Sequence, residues 1–233
     1  MTPERIGRLR AVLDRRQPDL TVITDFVNKQ RNVSALVRNC DAVGIMTAHT
    51  VVEKDNYKAF RGTAMGSHHW VEVVCHETLD AALDIAREQD MQVIAAHLGT
   101  DSIDYREPDY TRPTALLMGA EKRGVSAHGV ASADCCITIP MVGMVASFNV
   151  SVAAGIILAE VQRQREAAGL YRHRRIDDAT YRRLFFEWGH PSVREFCIER
   201  DLEYPELDAS GEIDSPSLWY EGVRQQLAKR DLS

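Results

Sequence analysis

The side chains best suited to chemistry in this 233-residue chain fall into three short stretches. The first, Asn32 to Ala42, opens on Asn32, a residue type that caps helices, and carries Arg38 among apolar neighbours. Spacing alone leaves Arg38 either a surface residue, the commoner place for a charge, or one aimed into a polar site. The second, Leu116 to Val125, is an apolar run entering a loop with Gly119 and Gly124 on either side of Glu121 and Lys122. Glycine lets a backbone approach a ligand closely. The stretch lacks the Gly-Lys-Ser/Thr of a phosphate-binding loop and the G-x-G-x-x-G of dinucleotide binders, and by itself it reads equally well as a plain strand-to-helix turn. The third, Ile139 to Ala154, leaves a strand at Pro140, passes Met141, Gly143 and Met144, and enters a helix by way of Ser147 and Asn149. Adaptable methionines suit an apolar ligand pocket, and free N–H groups at a helix start suit a polar ligand group. Ser147 is equally a simple N-cap. The small residues Ser151, Ala153, Ala154 and Gly155 would admit the close approach of another helix, a symmetry mate included.

The elements that must hold these stretches alternate. Residues 3–16 predict a short helix with Thr2 as cap, Pro3 in its first turn and Ile6, Leu9 and Leu13 on one face. Leu20 to Phe26 and Ile45 to Val52 read as strands. Between them lies a helix capped by Asn32, with Val33, Leu36, Val37 and Cys40 as one stripe and Gly44 at its end. Thr78 to Gln89 is a second amphipathic helix. Met91 to Ala96, Thr114 to Met118 and Cys135 to Ile139 are buried strands, and Asn149 to Ala168 is a long helix. Strands alternating with helices predict a parallel α/β sheet covered on both faces, with ligands beyond the carboxyl ends of its strands. Past residue 170 the pattern loosens. Tyr181 to Trp188 and Ser217 to Lys229 read as helices of an appendage without a second core.

With 45% hydrophobic residues the chain can bury a core and is not a disordered chain. A net charge of −6 argues against a simple nucleic-acid-coating protein. The charge is uneven, however: arginines crowd residues 5–16 and 163–175, and acids crowd 199–214. Five cysteines, an odd number without a C-x-x-C pair, point to a reducing, cytoplasmic setting and away from a metal knuckle. The charged N-terminal segment lacks the apolar run of a signal peptide, and the most apolar window, Val150 to Ala159, is too short to span a bilayer.

In order and spacing the three stretches resemble the motifs of the SpoU/TrmH family of SPOUT methyltransferases. The similarity runs from about Arg5 to Arg165 and includes Arg15-Arg16-Gln17-Pro18-Asp19-Leu20-Thr21-Val22. The third motif is highly diagnostic, the first moderately so, and the second only in company. The resemblance implies a basic N-terminal helix (1–18), a SPOUT domain (19–165) whose parallel sheet ends in a trefoil knot, and a C-terminal extension (166–233). It implies a homodimer that transfers a methyl group from S-adenosylmethionine to a ribose 2′-hydroxyl of tRNA, at guanosine 18 in the D-loop, with no metal. By matching positions, Ala96, Gly119, Ile139, Met141 and Phe148 would contact the cofactor. Asn32, Arg38, Glu121, Ser147 and Asn149 would form the catalytic group, Arg38 as a cation at the phosphate and the developing alkoxide, Glu121 holding the loop or pairing with a basic group. Arg5, Arg8, Arg16, Arg163 and Arg165 would hold the RNA. Two positions depart from the pattern: Phe148 stands where the family usually has Leu, and Ala96 where it often has Thr. The competing readings are a ribosomal RNA or other tRNA substrate, a non-catalytic RNA-binding protein on the same scaffold, and a nucleotide-dependent oxidoreductase, against which the missing Gly-rich fingerprint counts.

Overall fold

A computed structural model describes residues 1–52, 69–121 and 123–230. In chain order its elements are α1 (Pro3–Leu13), β1 (Leu20–Asp25), α2 (Gln30–Ala42), β2 (Thr47–Val51), β3 (Glu72–His76), α3 (Leu79–Glu88), β4 (Gln92–Ala96), β5 (Ile103–Asp104), β6 (Thr114–Gly119), α4 (Ala127–Ser132), β7 (Cys135–Thr138), α5 (Val150–Ala167), α6 (Asp178–Gly189), α7 (Pro191–Glu199) and α8 (Pro216–Arg230). They form two compact units, Arg15–Arg175 and Met1–Asp14 with Ile176–Ser233.

Among the described residues, the first unit is built on a seven-stranded sheet in the order β3-β2-β1-β6-β4-β7-β5. Every strand pairing is parallel. Neighbouring residues on each strand enter opposite layers, as the period of two requires. Val22, Ile94 and Leu116 face the core under α2 and α5. Ile23, Val93 and Leu117 face the core that holds α3. Leu116 and Leu117 are wholly buried, which contributes about 1.5–3 kcal/mol each. Burial on both faces is why these strands read as unbroken apolar runs. The stripes on α2 (Val33, Leu36, Val37, Cys40) and α3 (Leu79, Ala82, Leu83, Ala86) are buried as their spacing predicts. Gly44 closes α2 with φ of +84°, and a Cβ there would lie 2.7 Å from the Arg15 carbonyl oxygen.

Several expectations change. Helix α2 starts two residues before Asn32, with Lys29 at its N-cap position and no side-chain cap bond. Asn32 is therefore not the cap; it sits in the first turn, with its side chain free for another partner. Arg16 and Arg165 are not surface residues: both side chains are fully buried. Arg16 donates to Asp41 Oδ1 at 2.8 Å and to the carbonyls of Ile45 and Trp70 at 3.1 and 3.0 Å. Arg165 donates to Asp19 Oδ1 at 2.8 Å, to Gln17 Oε1 at 3.0 Å and to the carbonyls of Tyr110, Asp19 and Arg112. An arginine this enclosed has no face left for a phosphate, so both leave the set of RNA contacts.

The second unit gathers the chain's two ends. Thr2 caps α1, accepting from the Arg5 N–H at 3.3 Å. Leu9 and Phe185, Phe186 and Trp188 of α6 are buried. Arg5 donates to the Trp188 carbonyl at 3.1 Å, and the rings of Phe186 and Tyr204 stack with centroids 4.5 Å apart. The C-terminal segment thus has buried side chains of its own, completed by a helix from the far end of the sequence. That sharing explains the loose periodicity past residue 170: neither segment carries a whole apolar face by itself.

Candidate active site

Parallel strands put their carboxyl ends on one edge of a sheet, and Asp25, Ala96, Gly119 and Thr138 stand at or beside the ends of β1, β4, β6 and β7. The polar group at this edge is centred on Glu121. Its Oε1 accepts from Asn32 Nδ2 and, at 2.7 Å, from Asn149 Nδ2. Its Oε2 accepts from Lys29 Nζ. Asn149 Nδ2 also lies 3.4 Å from Asn32 Oδ1. The hydrogen bond from Lys29 and then that from Asn32 hold the Glu121 carboxyl below its ordinary value. At neutral pH it is an anion with its acceptors engaged, and hence a poor base.

Asn149 has two jobs. It is the N-cap of α5, its Oδ1 accepting from the Ser151 N–H at 3.0 Å and from Ser151 Oγ at 2.7 Å. Its amide nitrogen is thereby left to reach Glu121. Asn39, about two turns beyond Asn32 on α2, donates to the Ser151 carbonyl at 2.8 Å and fastens α2 to the first turn of α5.

Two hollows adjoin this group. A cleft of about 540 Å³ is lined by Asp25, Phe26, Lys29, Asn32, Glu121 and Ser126, among others. A smaller cavity of about 80 Å³ is lined by Ala96, His97, Ile139, Met141, Ser147 and Phe148, among others. Asn149 is the seam between them, since it follows Phe148 of the cavity and bonds Asn32 and Glu121 of the cleft.

Of the residues singled out from sequence, Asn32, Glu121 and Asn149 come together directly. Ala96, Ile139, Met141, Phe148 and Ser147 share the small cavity. Gly119 does not line it: a Cβ at that position would lie 2.0 Å from the Gly124 carbonyl carbon and the Val125 nitrogen. Its lack of a side chain serves the close passage of its own loop. Arg38 is exposed on α2, and no partner is found for it among the described residues. Arg5, Arg8 and Arg163 are exposed, Arg163 paired with Glu160 at 2.7 Å. Lys122, in the middle of the second motif, lies outside the described residues. Sequence reasoning missed Lys29, Asp25 and Ser126. Asp25 Oδ2 accepts from the Ser126 N–H at 2.7 Å, a contact across 101 residues with no local signal; Lys29 could have been suspected from its place just ahead of the first motif.

Residues 19–159 match the SpoU rRNA Methylase family, and residues 163–216 match the family described as SpoU, rRNA methylase, C-terminal. The chain is 43% identical over 222 residues to the tRNA (guanosine(18)-2′-O)-methyltransferase of Escherichia coli K12, covering 94% of this chain and 97% of that one. Its fold is similar to the crystal structure of the A. aeolicus TrmH/SpoU tRNA modifying enzyme, with a TM-score of 0.74 and 39% identity, covering 82% of this chain and 97% of that one. It is also similar to the SpoU methyltransferase AviRb of Streptomyces viridochromogenes in complex with the cofactor AdoMet, with a TM-score of 0.57 and 25% identity, covering 65% of this chain and 62% of that one.

Proposed function

The chain belongs to the SpoU methylase family, and from that premise we propose that it methylates the ribose 2′-hydroxyl of guanosine 18 in tRNA, with S-adenosylmethionine as donor. The observation that carries this reading is the seam. Group transfer between two large substrates needs two adjoining sites with fixed polar groups at their boundary, and Asn149, Asn32 and Glu121 stand between a cleft and a cavity.

The cavity's chemistry fits the cofactor. A thioether (Met141), an aromatic ring (Phe148) and main chain at the ends of β4 and β7 suit an adenosine group. Its volume of about 80 Å³ is below the roughly 300 Å³ at which ligand pockets begin, so binding requires the 140–149 loop to move outward. That loop is exposed along its length after Met141. When bound, S-adenosylmethionine supplies an activated methyl group. Ala96 and Ile139 would line its site, with Phe148 at one side. Asn32 and Asn149 would orient the ribose, since their amides are already fixed on Glu121. Alignment of this kind can contribute roughly 7–11 kcal/mol. Arg38 would meet the adjoining phosphate and the developing alkoxide as a permanent cation. Glu121 holds the two amides and Lys29 in place and takes no proton.

The same reading includes a homodimer, a knotted chain after β6 and a cytoplasmic location. Val142, Met144, Val145 and Val152 are exposed apolar side chains on the loop and α5, which supports a partner subunit there. The sheet order, with β6 between β1 and β4 and β7 between β4 and β5, is compatible with the knot. No disulfide joins any of the cysteines, as in a reducing compartment. Arg5, Arg8 and Arg163 remain as RNA contacts, and no metal is assigned. The test is to incubate the protein with tRNA and S-adenosylmethionine labelled in its methyl group, then map 2′-O-methylation. Label at guanosine 18, abolished in Arg38→Ala while cofactor binding persists, is expected. No transfer, or transfer to another nucleotide, overturns the proposal.

A further inference from the structure

We infer that Asp25 and Phe26 form a base-reading pocket in the cleft beside the seam, with Asp25 selecting guanine. That assignment rests on the guanosine reading above and deepens it. A ribose held at Asn32 and Asn149 carries its base into the adjoining space, and the cleft of about 540 Å³ is that space. An enzyme that acts on a nucleotide within a folded RNA must splay it out of its stack and commonly reads it by its Watson–Crick edge and by stacking.

Two observations at the end of β1 point to such a ligand. The first concerns Asp25, which is only 2% exposed. Of the two carboxylates that line the cleft among the described residues, Glu121 has both oxygens engaged. Asp25 has its Oδ2 on the Ser126 N–H, and its Oδ1 is enclosed with no hydrogen-bond donor. A buried acceptor left unmade is costly and rare. The second concerns Phe26, which holds φ of +53°, a conformation that bulky residues seldom adopt. Strain of this kind persists where the surroundings demand it, often at ligand sites. Here it keeps an aromatic ring in the cleft lining, more than a third exposed.

A carboxylate is an acceptor only. Guanine presents two adjacent donors, N1–H and the N2 amino group. Adenine presents an acceptor at N1, and cytosine one at N3, each of which a carboxylate repels. Phe26 offers a face on which any base stacks, so selection falls to Asp25. In Asp25→Asn the side-chain oxygen stays on the Ser126 N–H, and an amide N–H replaces the unpartnered acceptor.

The experiment compares two tRNA transcripts, with guanosine or adenosine at the methylated position, on the wild-type protein and on Asp25→Asn. The readout is the ratio of kcat/KM for the two, which cancels any loss of folded protein. The wild type should prefer guanosine by at least 100-fold, and Asp25→Asn should cut that ratio at least tenfold. Where the variant turns over too slowly, the ratio of Kd values for the two transcripts, measured by competition, takes its place. A ratio unchanged by the substitution overturns the role of Asp25. A wild-type protein that methylates neither transcript overturns the methyltransferase reading itself, so the two failures are distinct.

Discussion

Gly119→Ala tests whether the second motif positions the active site or merely connects a strand to a helix. The added Cβ would stand 2.0 Å from two backbone atoms of the 124–125 turn and 2.3 Å from the Gly124 oxygen, where ordinary contact is 3.4–4 Å. None of these atoms belongs to a flexible side chain, so the turn itself must retreat by more than an ångström. Overpacking against rigid neighbours costs about 1–3 kcal/mol, and with only backbone to yield the upper end applies. For a chain of this length about 3 kcal/mol lowers Tm by roughly 6–12 °C. The turn is the one that carries Glu121, and a 1 Å misplacement near reacting groups can lower turnover about 100-fold. Gly124→Ala is the control. Gly124, unlike Gly119, has positive φ (+66°), and nothing lies within 4 Å of its Cβ position. It should lose about 1–2 kcal/mol for the left-handed conformation and keep more of its activity. Thermal melts and single-turnover methyl transfer on the two variants read both effects. If Gly119→Ala melts within a degree of wild type and transfers methyl groups normally, the close passage of the turn does not hold the site.

Asp19→Ala should lose about 3–5 kcal/mol in urea titrations, because it strands the buried Arg165 and its neighbour Arg175, which donate to Asp19 at 2.8 and 2.6 Å. Burial alone would raise the Asp19 pKa, but the hydrogen bonds from Arg175 and Arg165 outweigh it and hold the carboxyl below its ordinary value. The folded pKa being the lower one, this stabilisation is present above the unfolded carboxylate pKa of about 3.9 and disappears as pH falls through the folded value; the wild-type urea midpoint should fall in that window and the Asp19→Ala midpoint should lack that component. Arg16→Ala should destabilise the protein by about 3 kcal/mol or more and leave the salt slope of tRNA binding unchanged. Arg8→Ala should barely alter stability and should reduce that slope by roughly 0.7–0.9, the share of a single phosphate left unneutralised; the opposite pattern would return Arg16 to the RNA surface.

The arginines mark where sequence reasoning ran short. Charge density treats Arg8 and Arg16 alike, and nothing local separates them. What separates them is the Asp41 carboxylate and the carbonyls of Ile45 and Trp70, all supplied by distant segments. Arg165 is the same case with Asp19 and Gln17. Strands buried on both faces, such as Thr114–Gly119, are plain in their apolar runs, and the helices with full stripes are legible with ends off by a residue or three. Strand β3 escapes because four of its five residues are only partly buried or exposed, so no apolar run marks it. Strand β5 has two residues and α4 has six, too few for any period to show. At the site, motif resemblance points to Asn32, Glu121 and Asn149 but not to the logic of their contact. Lys29 and Asp25 escape because each acts through a partner about a hundred residues away.

The position of Asn149 joins stability to function in one side chain. A helix that begins at the edge of a ligand site needs a short polar cap, and four residue types serve nearly equally. Serine and threonine would cap α5 through a hydroxyl that cannot also reach Glu121 as a neutral amide does. Aspartate would cap it well and then set a second carboxylate against Glu121, with no proton donor between them. Asparagine alone among the four has an acceptor for the Ser151 N–H and, on the same rigid plane, a donor for Glu121. The α5 cap therefore selects for a small polar residue, and the seam selects which one. The same division applies to Asn32. Because α2 begins at Gln30 and leaves its cap position to Lys29, the Asn32 amide is released from capping and its nitrogen goes to Glu121. Two asparagines at two helix starts, one capping and one not, converge on one carboxylate, and it is that convergence, more than any single residue, that fixes the polar group at the edge of this sheet.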